Sequence, residues 1–164
     1  MLVGIDPGKT GAIATLHGDG NVTLIKNPPT SRELLDYLEG VADEGCALGV
    51  PVGAVVERVG NFHPSGNSKQ DFSRISGNLK SREQQGEIRM AMVAAGITLH
   101  KEVMPRSWMT KVAPGYPRGN SSGQTQARKN FIWQKVQLLY PAVKVHKYAA
   151  DALGILHYGQ LMGW

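Results

Sequence analysis

The sequence has 164 residues, a net charge of +5 and a single cysteine, Cys46. This length suits one compact domain over residues 1–164, and a lone cysteine excludes an internal disulfide bond and a cysteine-based zinc site. No apolar run approaches the roughly 18 residues of a membrane span, and no signal-peptide pattern is visible at the N-terminus. We therefore expect a single domain in a cytoplasmic, reducing compartment, without membrane association.

The first part of the chain predicts a meander of strands, then a helix and a fourth strand. Three short apolar runs predict strands at residues 2–5, 12–16 and 22–25. Thr30 or Ser31 is expected to cap a helix that ends near Gly45. Residues 53–56 then predict a buried strand that delivers Glu57 at its end.

The middle of the chain predicts a loop, a helix and a fifth strand. Residues 58–80 are rich in Gly, Ser and Asn, which indicates a long exposed loop. A helix is expected from about 81 to 95, and its apolar face at Ile88, Met92 and Ala95 is our candidate for a subunit interface. The remaining predictions are a strand at 97–103, a helix at 105–112, a loop at 113–124 and helices at about 125–140 and 148–160.

This order of elements predicts an α/β fold with a five-stranded mixed sheet flanked by helices. Asp6 ends the first strand, Glu57 ends the fourth, and Asp151 lies in the first turn of the last helix. We expect the three carboxylates to meet at one edge of the sheet. Each has a simpler interpretation alone, as a turn former or a helix-dipole partner, but a cluster of three favours a metal site.

Clustered carboxylates suit hard cations such as Mg²⁺, with Mn²⁺ as a substitute. Two such ions held together can activate a water molecule and stabilise the leaving oxygen of a phosphodiester. The metal ligands predicted here are Asp6, Glu57 and Asp151.

The charge is distributed unevenly along the chain. Residues 1–57 have a net charge of −5, residues 58–102 of +3 and residues 103–164 of +7. Asp151 is the only acid in the last segment. A basic half predicts a polyanionic partner, because each Lys or Arg placed at a phosphate releases condensed counterions.

Three segments resemble, in order and spacing, the signatures of the RuvC family of Holliday junction resolvases. They are residues 4–11 (GIDPGKTG), 54–59 (AVVERV) and 149–153 (AADAL). The resemblance implies a ribonuclease H-like fold and a homodimer that binds branched DNA, in particular four-way junctions. It also implies paired symmetric nicking with Mg²⁺ during recombination, repair or the processing of replication intermediates.

One position departs from the family pattern. Many members have an acidic residue three positions before the last Asp, where this chain has Tyr148. His146 is our candidate to complete the site as a ligand or proton shuttle. Lys147 is an alternative that would contact the scissile phosphate, and Lys111 is a candidate contact to the transition state.

The candidate DNA contacts combine aromatic and basic side chains. Phe62 and Phe72 lie in the polar 58–80 segment, where base stacking or anchoring of the loop would explain them. The basic candidates, each of which would otherwise be a solvated surface charge, are Lys69, Arg74, Lys80, Arg82, Lys111, Arg128, Lys129 and Lys147.

Two functions of different classes stay open at this point. The first is a metal-dependent endonuclease for junctions, with flaps or RNA–DNA hybrids as other substrates. The second is a non-catalytic protein of the same fold that binds branched DNA. The three carboxylates favour the enzyme, since a protein that only binds DNA gains by losing negative charge at its phosphate-facing surface.

Overall fold

The computed structural model describes residues 1–8, 10–59, 68–119 and 121–164, and only the backbone of 68–78. Within these ranges the chain forms five strands, five helices and a short 3₁₀ turn at Lys147–Ala149. The strands are β1 (Leu2–Ile5), β2 (Ala12–Leu16), β3 (Val22–Lys26), β4 (Gly53–Glu57) and β5 (Thr98–Val103). The helices are α1 (Ser31–Leu48), α2 (Ser68–Ala94), α3 (Pro105–Val112), α4 (Ser122–Leu139) and α5 (Ala150–Leu161).

The five strands form one mixed sheet in the order β3-β2-β1-β4-β5. β2 is antiparallel to both β1 and β3, whereas β4 is parallel to both β1 and β5. β1 therefore lies at the centre, and this position explains why its sequence is an unbroken apolar run. The predicted five-stranded mixed sheet is confirmed.

The sheet has a hydrophobic core on each face. Val3 and Ile5 of β1 point to the side covered by α1 and α2, together with Leu38 and Met92. Leu2 points to the other side, which is covered by α3, α4 and α5. The alternation follows from the two-residue period of a strand, and it makes a three-layer molecule with helices on both faces.

α5 lies unusually close to β1. A Cβ atom added at Gly4 would lie 2.4 Å from the backbone nitrogen of Leu156 and 2.6 Å from the carbonyl oxygen of Ala152. Gly154 of α5 allows a similar approach to the ring of Trp108. Because Gly4 has no side chain, the backbone of α5 packs directly on β1. The first turn of α5 therefore lies near the end of this strand.

Two helix boundaries differ from the sequence-based expectation. α2 begins at Ser68, so residues 68–80 are helical and the predicted 58–80 loop is wrong over that part. Polar residues are compatible with a helix, and isolated Gly77 does not stop it. α1 continues through Gly45 to Leu48, where Gly49 forms the C-cap at φ 66°. Gly45 serves close packing instead, because a Cβ atom there would meet Val52 at 2.4 Å.

The proposed subunit interface at Ile88, Met92 and Ala95 is wrong. Ile88 and Met92 are each only 1% exposed and pack, with Ala95, into the core between α2 and the sheet. An apolar helix face has the same period whether it meets its own domain or a second subunit, so the sequence pattern alone does not distinguish them. Among the side chains of this helix that the structure describes, the large apolar ones that are exposed are Leu79, Met90 and Val93.

Two further observations concern the surface. No helix in the described part of the chain has the length and hydrophobicity needed to cross a membrane. Cys46, on α1, is exposed.

The close packing of α5 on β1 predicts that Gly4→Ala destabilises the protein by about 1–3 kcal/mol, because the added methyl group must displace helix backbone. Thermal or urea unfolding would measure the change. Gly40→Ala is the matched control, since Gly40 is helical with no atom within 4 Å of the added Cβ. That variant should be more stable by about 0.5–1 kcal/mol. Equal stability of Gly4→Ala and the wild type would contradict the packing argument.

Candidate active site

Asp6 follows the last residue of β1, in the turn that leads to β2. Its backbone N–H donates to the carbonyl oxygen of Ala12 at 3.0 Å. The amide nitrogen Nδ2 of Asn27 donates to the carbonyl oxygens of Asp6 at 2.8 Å and Gly8 at 2.9 Å. Asn27 therefore fixes the turn that presents the carboxylate. Its own Oδ1 is buried and has no hydrogen-bond partner among the described residues.

Glu57 is the last residue of β4, which is the parallel neighbour of β1. The indole nitrogen Nε1 of Trp108 donates to Oε1 of Glu57 at 2.8 Å. Trp108 lies on α3 and is completely buried. Gln85 of α2 donates from Nε2 to the Glu57 carbonyl oxygen at 3.4 Å. Helices on both faces of the sheet thus hold this residue.

Asp151 lies in the first turn of α5, after the 3₁₀ turn. The contact of α5 with Gly4 of β1 begins at Ala152, the next residue. The same close packing that requires a glycine in β1 therefore brings the Asp151 carboxylate towards the end of that strand.

The three carboxyl groups form one electrostatic cluster. Burial, followed by repulsion from Glu57 and Asp151, raises the pKa of Asp6 from 3.8 to about 8. Burial likewise raises the pKa of Glu57 from 4.5 to about 7, although the hydrogen bond from Trp108 opposes the shift. Burial also raises the pKa of Asp151. The side-chain interaction between Asp6 and Glu57 raises the pKa of Asp6 and lowers that of Glu57, so Asp6 keeps its proton to the higher pH of the two.

Two cations on α4 face this cluster. Lys129 lowers the pKa values of Asp6 and Asp151, and Arg128 lowers those of Glu57 and Asp151. These effects act against burial and do not overcome it. The site therefore carries excess negative charge once its protons leave, with positive charge on one side.

The donor set fits a divalent cation. Three carboxyl groups that repel each other and lie in a poorly solvated position are stabilised when a cation replaces their protons. Among the described residues no group of three His, Cys, Asp or Glu side chains already has a metal-binding arrangement.

Three further residues were predicted to take part in the site: His146, Lys147 and Lys111. His146 is exposed and its ring stacks on Tyr148, with a centroid distance of 5.4 Å. Lys147 donates to Oδ1 of Asn130 at 3.2 Å and lies 5.2 Å above the Trp133 ring. Lys111 is exposed in the last turn of α3. Roles for these three residues stay predictions.

Apart from Lys111 and Lys147, which are described above, the predicted DNA contacts fall into three groups. Arg128 and Lys129 lie beside the carboxylates, as described above. Lys80 and Arg82 are exposed on α2, and Lys80 lines a cleft of about 670 Å³ between this helix and residues 26–30. Four predicted contacts lie outside the described residues, entirely or in their side chains: Phe62, Lys69, Phe72 and Arg74.

Sequence reasoning missed Asn27, Gln85 and Trp108. Each contacts a site residue from a distant part of the chain, with separations of 21, 28 and 51 positions. The only available signal was weak: a Trp on a short helix after β5 and an Asn after β3 are ordinary residues in those places. The partners become visible only in three dimensions.

No protein-family model matches the sequence, and no curated protein matches it either. RuvC from Thermus thermophilus superposes with a TM-score of 0.53 at 18% identity, over 99% of this chain and 96% of that chain. The same protein in complex with a Holliday junction substrate gives 0.55 at 18%, over 99% and 95%. The yeast mitochondrial Holliday junction resolvase Ydc2 gives 0.38 at 15%, over 99% and 80%, a TM-score too low to bear on the fold.

The two superpositions on RuvC cover nearly the whole of both chains, with TM-scores above 0.5. The protein therefore has the fold of RuvC, which is a ribonuclease H-like fold, as the three sequence segments indicated.

Proposed function

We propose that the protein is a divalent-metal-dependent endonuclease that resolves four-way DNA junctions by paired, symmetric nicks. The observation that carries the proposal is the cluster of Asp6, Glu57 and Asp151, which lies beside Arg128 and Lys129. A site with three acids and two adjacent bases suits cations and a phosphodiester together. The fold shared with RuvC supports the same class of function.

The protein's own side chains divide the work. Asp6, Glu57 and Asp151 would hold Mg²⁺, or Mn²⁺ in its place, as two ions that together supply water activation and leaving-group stabilisation when bound. Trp108 orients Glu57, because its indole N–H donates to Oε1 of the carboxylate. Asn27 fixes the turn that presents Asp6. Lys129 and Arg128 face the scissile phosphate and stabilise its developing charge.

The substrate and assembly follow from symmetry and charge. The RuvC structure named above contains a Holliday junction, and the shared fold brings the same ligand class to this chain as a proposal. The basic half of the sequence fits a DNA backbone. A four-way junction offers two equivalent strands, and a homodimer with twofold symmetry offers two equivalent sites. We place this activity in the cytoplasm.

Two alternatives remain testable. A protein that only binds branched DNA would have no use for three buried carboxyl groups, whose repulsion destabilises the metal-free fold. A nuclease for flaps or RNA–DNA hybrids would share the chemistry and differ in substrate. Cleavage assays with junction, flap, duplex and hybrid substrates, with and without Mg²⁺, distinguish all three.

The first prediction concerns the carboxylates. Asp6→Asn, Glu57→Gln and Asp151→Asn should each reduce junction nicking by at least about a hundredfold, because each removes a metal ligand. DNA affinity should be kept or increased, since a repulsive charge is also removed. Asp43→Asn is the control, since Asp43 is an exposed carboxylate on α1.

The same variants should lose the rise in unfolding temperature that Mg²⁺ produces in the wild type, a readout independent of activity. Near-normal nicking by any one of them would remove that residue from the site. Full nicking activity of the wild type in EDTA would contradict the proposed metal dependence.

The second prediction concerns Trp108. Trp108→Phe removes the N–H that holds Glu57 and should weaken Mg²⁺ binding by about 10–100-fold, as for other residues that orient a metal ligand. The Mg²⁺ concentration needed for half-maximal thermal stabilisation and half-maximal nicking would measure this. Val112→Ala is the control for lost packing on the same helix. If both variants need the same Mg²⁺ concentration, Trp108 acts only as a core residue.

The third prediction concerns pH. The raised pKa values mean that the metal-free folded protein holds protons that the unfolded chain has released, between about pH 4 and pH 8. The free energy of unfolding should therefore fall as pH rises through this window. Asp6→Asn removes one such proton site and its repulsion, so the variant should become progressively more stable than the wild type towards pH 8. The free energy of unfolding of both proteins would be measured against pH in EDTA. Parallel curves for the wild type and Asp6→Asn would contradict the proposed charge cluster.

A further inference from the structure

A second, smaller cleft lies between α3 and the start of α4, on the face of the sheet that is covered by α3, α4 and α5. It has a volume of about 400 Å³. Three arginines line it: Arg106, Arg118 and Arg128. Met109 and Tyr116, both largely buried, form an apolar part of its wall. The combination of an apolar wall and three guanidinium groups distinguishes this cleft from an ordinary charged surface.

Within the described part of the chain, the three arginines of the cleft form no ion pair with a carboxylate, although Arg128 acts on the neighbouring Glu57 and Asp151 at longer range. None of the residues that line the cleft is acidic. The ion pairs in the described part of the chain join His17 to Glu44, Arg32 to Asp36 and Arg89 to Glu102, and involve none of the three arginines. Three arginines that line one cleft without a carboxylate among its lining residues make it a favourable position for an anionic ligand.

The rim of the cleft is held in place by backbone contacts. Arg128 donates from Nη1 to the carbonyl oxygen of Gly119 at 3.4 Å. Just beyond, Ser121 and Gln124 form a reciprocal capping box at the start of α4. The segment that carries Arg118 is therefore tied to the helix that carries Arg128, which preorganises the two side chains.

Arg128 also links the cleft to the candidate active site. It lines the cleft, and its charge lowers the pKa values of Glu57 and Asp151. The cleft and the carboxylate cluster are thus neighbours along one surface. A DNA strand with one phosphate at the carboxylates would place an adjoining part of its backbone at the arginines.

We propose that the Arg106–Arg118–Arg128 cleft is a subsite for a backbone phosphate of the strand that is cut, next to the scissile phosphate. The proposal rests on the proposed function and extends it by assigning the position of the neighbouring nucleotide. Guanidinium groups match phosphate oxygens in pairs, and this geometry favours a phosphodiester over a simple counterion. The cleft is larger than one phosphate, so the adjoining deoxyribose would pack on Met109 and Tyr116.

The test pairs a change in the protein with a change in the DNA. Junctions that carry one neutral methylphosphonate at each successive position around the cut site would be bound by the protein in an Asp6→Asn background, where cleavage is off. A methylphosphonate at one position beside the cut should lower the affinity for the junction about tenfold, which is the effect of losing one charge-assisted hydrogen bond. Arg118→Gln or Arg106→Gln, added to this background, should weaken the natural junction by a similar factor and reduce the salt dependence by about one phosphate contact.

The combination of both changes decides the matter. In Arg118→Gln the methylphosphonate at that position should have no further effect, since the contact is already lost. Arg32→Gln, on α1 at the opposite face of the sheet, should leave affinity and salt dependence unchanged. Independent, additive losses, or no loss in either arginine variant, would overturn the proposal. Stabilisation by inorganic phosphate without any methylphosphonate effect would instead assign the cleft to a free anion.

The outcome is separable from that of the proposed function, because binding is measured without cleavage. If the wild type nicks no substrate while the methylphosphonate and arginine effects still coincide, the nuclease proposal fails and the subsite stands. If nicking is normal and the two effects are additive, the nuclease proposal stands and the subsite fails.

Discussion

The absence of a side chain at Gly4 is the constraint on which the arrangement of this molecule depends. It allows α5 to lie with its backbone against the central strand, where a Cβ atom would meet it at 2.4 Å. Because α5 begins at the end of β1, this approach sets how near Asp151 comes to Asp6. The parallel pairing of β1 with β4 brings Glu57 to the same edge. Three carboxylates from distant parts of the chain thus converge through one close contact and one strand pairing.

Convergence has an energetic cost, and the surrounding residues limit it. Burial and mutual repulsion hold protons on the cluster near neutral pH, which shows that the fold tolerates the site without optimising it. Trp108 and Asn27 fix the geometry with neutral donors, whereas Lys129 and Arg128 supply positive charge from α4. Neutral donors set positions and charged residues offset repulsion. This division allows the acids to stay close together before any ligand arrives.

The sequence was sufficient to predict the sheet and the clustering of the three acids, because both leave local patterns, whereas the role of these acids as metal ligands stays a prediction. Asp6 and Glu57 each end an apolar run, and such a position is costly for a carboxylate without a function. Trp108 and Asn27 were not predictable, since their partners lie far away in the sequence and an indole or amide has no preferred neighbours. The beginning of α2 was missed because Gly, Ser and Asn favour loops only weakly. Ile88 and Met92 do form an apolar face, but this face packs on the sheet of its own domain and not on a second subunit.

The position of Cys46 has a practical consequence. It is the only thiol in the chain, it is exposed, and α1 lies across the sheet from α4 and the arginine cleft. A maleimide dye or a nitroxide can therefore be attached to the unmodified sequence at one defined point, on the opposite face of the sheet from the arginine cleft. Distances between two such labels would test the proposed homodimer on a four-way junction.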